Sequence, residues 1–101
     1  MPESFKVPVE IERDAGTLLA ELRAGGWHVS ASEYDATAFG NWLVDLQRDG
    51  VAIRLLKDRS QYMVTGLSTE VLKAAGLWQA FDSLEELQMT LARWATRSLN
   101  P

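Results

Sequence analysis

The chain has 101 residues, the length of one domain, and its 47 % apolar and 24 % charged residues are the mix of a soluble globular fold. Ten Lys and Arg against fourteen Asp and Glu leave a formal charge of −4, which repels phosphate backbones and counts against nucleic acid as a partner. The absence of cysteine excludes disulfides, thiolate catalysis and zinc sites built on sulfur.

The first stretch, MPESFKVPVEIERD, lacks the basic start and apolar run of a signal peptide, and no segment approaches membrane-spanning length. A cytoplasmic protein without a membrane partner is expected. Phe5, Val7, Val9 and Ile11 alternate with Lys6, Pro8, Glu10 and Glu12, the period of a strand with one buried face. Pro8 has no N–H to give a ladder, so this strand is predicted at an edge. Asp14 then caps a predicted helix whose face is Ala15, Leu18, Leu19 and Leu22, with Gly25-Gly26 as its stop.

WHVSASEY, residues 27 to 34, reads as a strand with Trp27, Val29 and Ala31 on one side. After a loop, NWLVDLQRDGVAIRLLKD reads as a hairpin, because Asp-Gly between apolar runs favours a two-residue type I′ turn. QYMVTG supplies the next strand beyond Arg59-Ser60. Ser68 caps a short helix ended by Gly76. Ser83 with Glu86 forms a capping box for a longer helix with the stripe Leu84, Leu87, Leu91, Trp94 and Ala95. The order β-α-β-β-β-β-α-α predicts one α+β domain over residues 1–101: an antiparallel meander of about four to five strands packed on one face by helices.

The two-residue turns fix a register. Trp42, Val44, Leu46, Val51, Ile53 and Leu55 share the predicted core face. On the other face, Asp45 lies opposite Arg54 as an ion pair and Leu43 opposite Leu56; if Arg59-Ser60 is also a two-residue loop, Met63 joins them in a row across three strands, whereas a loop one residue different would turn Met63 to the other face. Covering this row from full exposure is worth on the order of 5 kcal/mol. Two readings of it stand: an interface, or core covered by the N-terminal strand or a helix. The charged tip Asp58-Arg59-Ser60 is a second contact candidate, since arginine is enriched at interface hot spots. Leu43, Leu56, Met63, Arg54 and Arg59 are therefore the candidate partner-binding residues.

Catalytic signals are sparse. His28 is the lone histidine, with Ser30 and Ser32 nearby but no nucleophile-elbow sequence. No spacing suggests metal ligands, so no metal or cofactor is expected. Glu33 with Asp35, and Glu85 with Glu86, are paired carboxylates better suited to solvated surface or a helix start. Trp27, Trp42, Trp78 and Trp94 each fall on or beside a predicted apolar stripe, bulk enough for much of a small core.

DGVAIRLLKDRSQYMV, the 16 residues from Asp49 to Val64, with its charged DRSQ turn and Tyr62 leading the next strand, resembles hairpins of small bacterial α+β proteins of the immunity type. The resemblance implies a cofactor-free domain that binds and blocks a protein partner through a sheet face or loops, and it assigns neither the partner nor the inhibitory residues. The leading expectation is thus a non-catalytic protein-interaction domain, either immunity-like or self-associating as a homodimer. The alternative is a small-ligand binding domain with a Trp-lined pocket between sheet and helices. An enzyme using Glu33, Asp35 and His28 is the third reading, and a purely structural subunit is not separated from the first by sequence alone.

Overall fold

Residue 9 opens a helix in a stretch whose alternation predicted a strand. The computed structural model describes residues 7–37 and 40–99, and its first element is α1, Val9–Ala24. Pro8 stands just before the first turn, where a missing N–H costs nothing, and its carbonyl accepts the Ile11 and Glu12 N–H groups at 3.0 and 3.1 Å. Glu10 and Glu12 favour the positive end of the helix dipole. Ile11 explains why the helix wins: it lies four residues before Ala15 and seven before Leu18, so one more turn extends the buried face. The predicted strand is thereby corrected over Val9–Glu12, and Asp14 lies inside the helix rather than at its cap. Met1–Lys6 lie outside the described residues.

The exit from α1 is a Schellman turn. Gly26, at φ +96°, lets Trp27 N–H reach the Leu22 carbonyl at 3.0 Å while its own N–H reaches Arg23 O at 3.0 Å. Trp27 is thereby drawn into the core, and the chain enters β1 (His28–Asp35), β2 (Asn41–Arg48), β3 (Val51–Asp58) and β4 (Gln61–Thr65). These form one antiparallel sheet in the order β1-β2-β3-β4. Asp49 and Gly50 have φ of 50° and 82°, and Arg59 and Ser60 have 52° and 73°. Both tips thus carry two left-handed residues, the requirement of a type I′ turn. The register follows: Leu46 opposite Ile53, Val44 opposite Leu55, Leu56 opposite Met63.

β1 departs from its predicted pattern. Its register against β2 shifts between Val29 and Ala31, leaving Ser30 as an extra residue. A one-residue bulge exchanges the faces beyond it. Val29 is buried as expected, but Ala31 pairs with outward-facing Asp45, and Ser32 and Tyr34 take the core side opposite Val44 and Trp42. At the far edge, Tyr62 and Phe81 exchange both backbone hydrogen bonds at 2.8 Å, which closes part of the open β4 edge.

Two capped helices finish the chain. In α2 (Thr69–Ala74) Ser68 Oγ accepts the Val71 N–H at 3.2 Å, and in α3 (Leu84–Leu99) Ser83 Oγ accepts the Glu86 N–H at 3.3 Å. Leu87, Leu91 and Trp94 of α3 are buried beside Leu18, Leu19 and Leu22 of α1, above Val44, Leu46, Ile53, Leu55 and Val64 of the sheet. The result is an α+β layer pair: a four-stranded meander with its helices on one face. No helix among the described residues is long and apolar enough to cross a membrane.

Candidate functional site

The second face of the sheet contributes no residue to the buried core among the described residues. Residues opposite one another in register point to the same side, so this face has three rows running from β1 to β4, beside a shorter one of His28, Gln47 and Ala52. The first is Ala31, Asp45, Arg54, Thr65; the second Glu33, Leu43, Leu56, Met63; the third Asp35, Asn41, Asp58, Gln61. The three apolar residues meet in the middle row as the turn lengths dictate. With Glu33, Asp35, Asn41, Trp42, Lys57 and Asp58 they line a shallow depression of about 300 Å³.

The flanking rows differ in charge. Arg54 is held by Asp45 in a two-point ion pair, Nε to Oδ1 at 2.7 Å and Nη2 to Oδ2 at 3.0 Å. This hydrogen bonding raises the already high pKa of the guanidinium, and Glu33 adds to it electrostatically. The pair is neutral in sum. The third row is acidic: Asp58 Oδ1 accepts the Asn41 side-chain N–H at 3.3 Å, and Asn41 Oδ1 accepts the backbone N–H of Arg59 at 2.9 Å. Asp35 closes the start of the next loop by accepting both the N–H and the hydroxyl of Thr37, at 3.0 and 2.7 Å. Arg59 itself stands exposed at the β3–β4 tip.

Leu43, Leu56 and Met63 are each part-buried, since neighbours on three strands already cover much of their surface. Sealing what remains is worth about 1–3 kcal/mol, less than the full-exposure figure. Apolar contact alone would therefore give this face little affinity for anything placed on it.

Other candidates do not assemble. His28 is exposed on the outer side, Ser32 faces the core side, and the Ser30 hydroxyl donates to the Asp45 carbonyl at 3.3 Å. Glu33 and Asp35 share the outer face, and Glu85 and Glu86 lie in the first turn of α3. No group of three His, Asp or Glu side chains among the described residues is placed to hold a metal ion. Trp27 packs against Trp94 with ring centroids 6.2 Å apart, and Trp42 against Tyr62 at 6.3 Å. These three tryptophans are core. Trp78 corrects the expectation for the fourth: it is 56 % exposed, with Lys73 Nζ 5.9 Å from its ring.

Sequence reasoning missed two features. A groove of about 650 Å³ runs between α1 and α3, lined by Leu18, Glu21, Leu84, Gln88 and Met89 and bridged by a hydrogen bond from Gln88 to Glu21. Asp14, at one end of that groove, accepts hydrogen bonds from Trp42 and Lys57. Reading α1 one turn further back would have found both, because Asp14 then falls on the helix beside Ala15 and Leu18.

Among the described residues, fold and surface define an α+β meander whose helices all pack on one sheet face. No family model, curated protein or solved structure matches this chain.

Proposed function

We propose that this chain is a non-catalytic protein-interaction domain that meets its partner through the outer face of the sheet, as an immunity-like inhibitor or as a self-associating module. The observation that supports the reading is the apolar row Leu43–Leu56–Met63, lying on the side away from the helices. Core-forming side chains on the side of a sheet that the core does not use need a reason, and contact with another protein is one. The burial of Trp27, Trp42 and Trp94 in the core favours this reading over a small-ligand domain with a Trp-lined pocket.

The test is solution mass by light scattering, with circular dichroism, on the wild type and on Leu56→Asp. The reading expects the variant to keep the native spectrum, because Leu56 lies on the sheet face away from the core. A wild-type dimer that becomes a folded monomer in the variant makes the face a self-association surface. A wild-type monomer with a folded variant reserves the face for a different protein. A variant that unfolds makes Leu56 a structural residue and removes the basis of the proposal.

A further inference from the structure

Resting on that reading, we infer that the occupant of this face is a second copy of the chain, packed face to face about a twofold axis along the strands between β2 and β3. Such an axis lays each row over itself and exchanges the strands, so β2 lies over β3 of the second copy and β1 over its β4. The strand register then fixes what meets what. In the middle row Leu43 faces Leu56 of the second copy, and Glu33 faces its Met63. In the first row Asp45 faces the second copy's Arg54, and Ala31 its Thr65. In the third, Asn41 faces Asp58 and Asp35 faces Gln61, while the shorter row sets Gln47 over Ala52. Every contact occurs twice, once from each copy.

The face is thus complementary to itself. None of the four carboxylates on the rows meets another carboxylate: Glu33 meets a methionine, Asp35 a glutamine, Asp58 an asparagine and Asp45 an arginine. Within one chain Asp45 already holds Arg54 by two hydrogen bonds. The axis sets two such pairs head to tail, so each guanidinium lies beside two carboxylates. Arg59, exposed at the β3–β4 tip beside Asp58, falls at the rim of the contact. The other simple twofold, with its axis along the rows, fails on one residue. It lays each strand over its own counterpart and sets Glu33 against Glu33 of the second copy, an opposition of like charges. Area sets the strength. Four strands about 4.8 Å apart, mostly eight residues long at about 3.3 Å each, present about 500 Å² per copy. A contact of about 1,000 Å² in total stands at the lower bound for a specific interface, so the dimer is weak and concentration-dependent.

Sedimentation equilibrium from about 5 to about 500 μM tests this, with circular dichroism on every variant. The wild-type mass should rise toward two chains across that range. Leu56→Ser strips the apolar centre without changing charge and should weaken the dimer about tenfold. Arg54→Glu makes the central pair of the first row wholly acidic, and Asp45→Arg makes it wholly basic. Each alone should weaken self-association about tenfold, and an equimolar mixture of the two should associate to within about threefold of the wild type. If Arg54→Glu does not fold, Arg54→Gln removes the charge without reversing it and should weaken the dimer about threefold. A wild type that stays monomeric while Leu56→Ser is folded would overturn the inference and leave the face to a different protein. A dimer weakened by Leu56→Ser but indifferent to the charge variants would overturn the arrangement and keep the face. A dimer indifferent to every variant is made elsewhere and overturns the inference. Unfolding of Leu56→Ser would overturn the inference and the interaction face together.

Discussion

Lys57 Nζ lies 3.0 Å from Asp14 Oδ2, the same oxygen that accepts the indole N–H of Trp42 at 3.2 Å. Trp42 and Lys57 are register partners on β2 and β3, and Asp14 is on α1, so one carboxylate ties the helix to two strands. The pair is largely shielded, with side-chain exposures of 19 % for Lys57 and 26 % for Asp14. Buried Trp42 would otherwise lack a partner for its N–H, and the Lys57 ammonium would sit beside apolar surface without a counter-charge. The tether thus satisfies two donors that the core face would leave stranded.

Asp14→Ala is expected to lower stability by about 2 kcal/mol, the usual range for losing hydrogen bonds to a charged group. The pH dependence has a definite sign. Burial raises the Asp14 pKa, but the hydrogen bonds from Lys57 and Trp42 and the nearby positive charges outweigh it, leaving the carboxyl below its ordinary value of 3.8. A depressed folded pKa contributes stability that is fully present above the unfolded value and is lost as pH falls below it through the folded value. Urea midpoints should therefore fall more steeply below pH 3.8 for the wild type than for Asp14→Asn. Parallel acid limbs for the two proteins would show that the tether does not titrate with folding.

The two hairpin tips make an internal comparison. Asp49-Gly50 places glycine at its second left-handed position, whereas Arg59-Ser60 places serine there, at φ 73°. An L-residue in that conformation costs about 1–2 kcal/mol, partly offset because glycine has more unfolded-state freedom to lose. Ser60→Gly should accordingly stabilise the protein by about 0.5–1 kcal/mol with no change in denaturant m-value. A loss of stability would mean that the Ser60 hydroxyl contributes more than the strain it tolerates.

Turn chemistry is also what made the sheet legible from sequence. Asp49-Gly50 fixed every pairing from Trp42 with Lys57 to Arg48 with Val51, and a second two-residue loop placed Leu56 opposite Met63. The outer-face row followed from those two turns alone. Two local events were not legible. The extra residue Ser30 gives no signal in HVSASEY, where small polar residues fit either face, so the direction of Ala31 came out reversed. At the N-terminus, Val7, Val9 and Ile11 match period two, yet Ile11 also matches the helical spacing of Ala15, Leu18 and Leu22, and packing chose the helix. Trp78 shows the third limit. Its neighbour Leu77 is buried while it is exposed, a choice that residue type does not encode between two large apolar side chains. The make-up of the outer face needed both kinds of information: register from the turns for Leu43, Asp58 and Asp45, and the bulge for Glu33 and Asp35.

Gly66 and Gly50 offer a test of how closely β3 and the end of β4 approach. Both have positive φ, 99° and 82°, so alanine at either position is strained. At Gly50 a Cβ would meet nothing within 4 Å, and Gly50→Ala should cost only the conformational strain, about 1–2 kcal/mol. At Gly66 the same atom would lie 3.2 Å from the Ala52 carbonyl oxygen and 3.3 Å from Ile53 Cα, with Arg54 N at 3.4 Å. These are backbone atoms of β3, held in the ladder to β2, and they cannot swing aside as a side-chain tip would. Gly66→Ala should therefore cost about 1–2 kcal/mol more than Gly50→Ala, the added amount being that of overpacking. Urea melts of the two variants measure the difference directly. Equal costs would mean that the β3 backbone yields at Ile53, and the register that sets Arg54 opposite Asp45 would then be looser than the ladder implies.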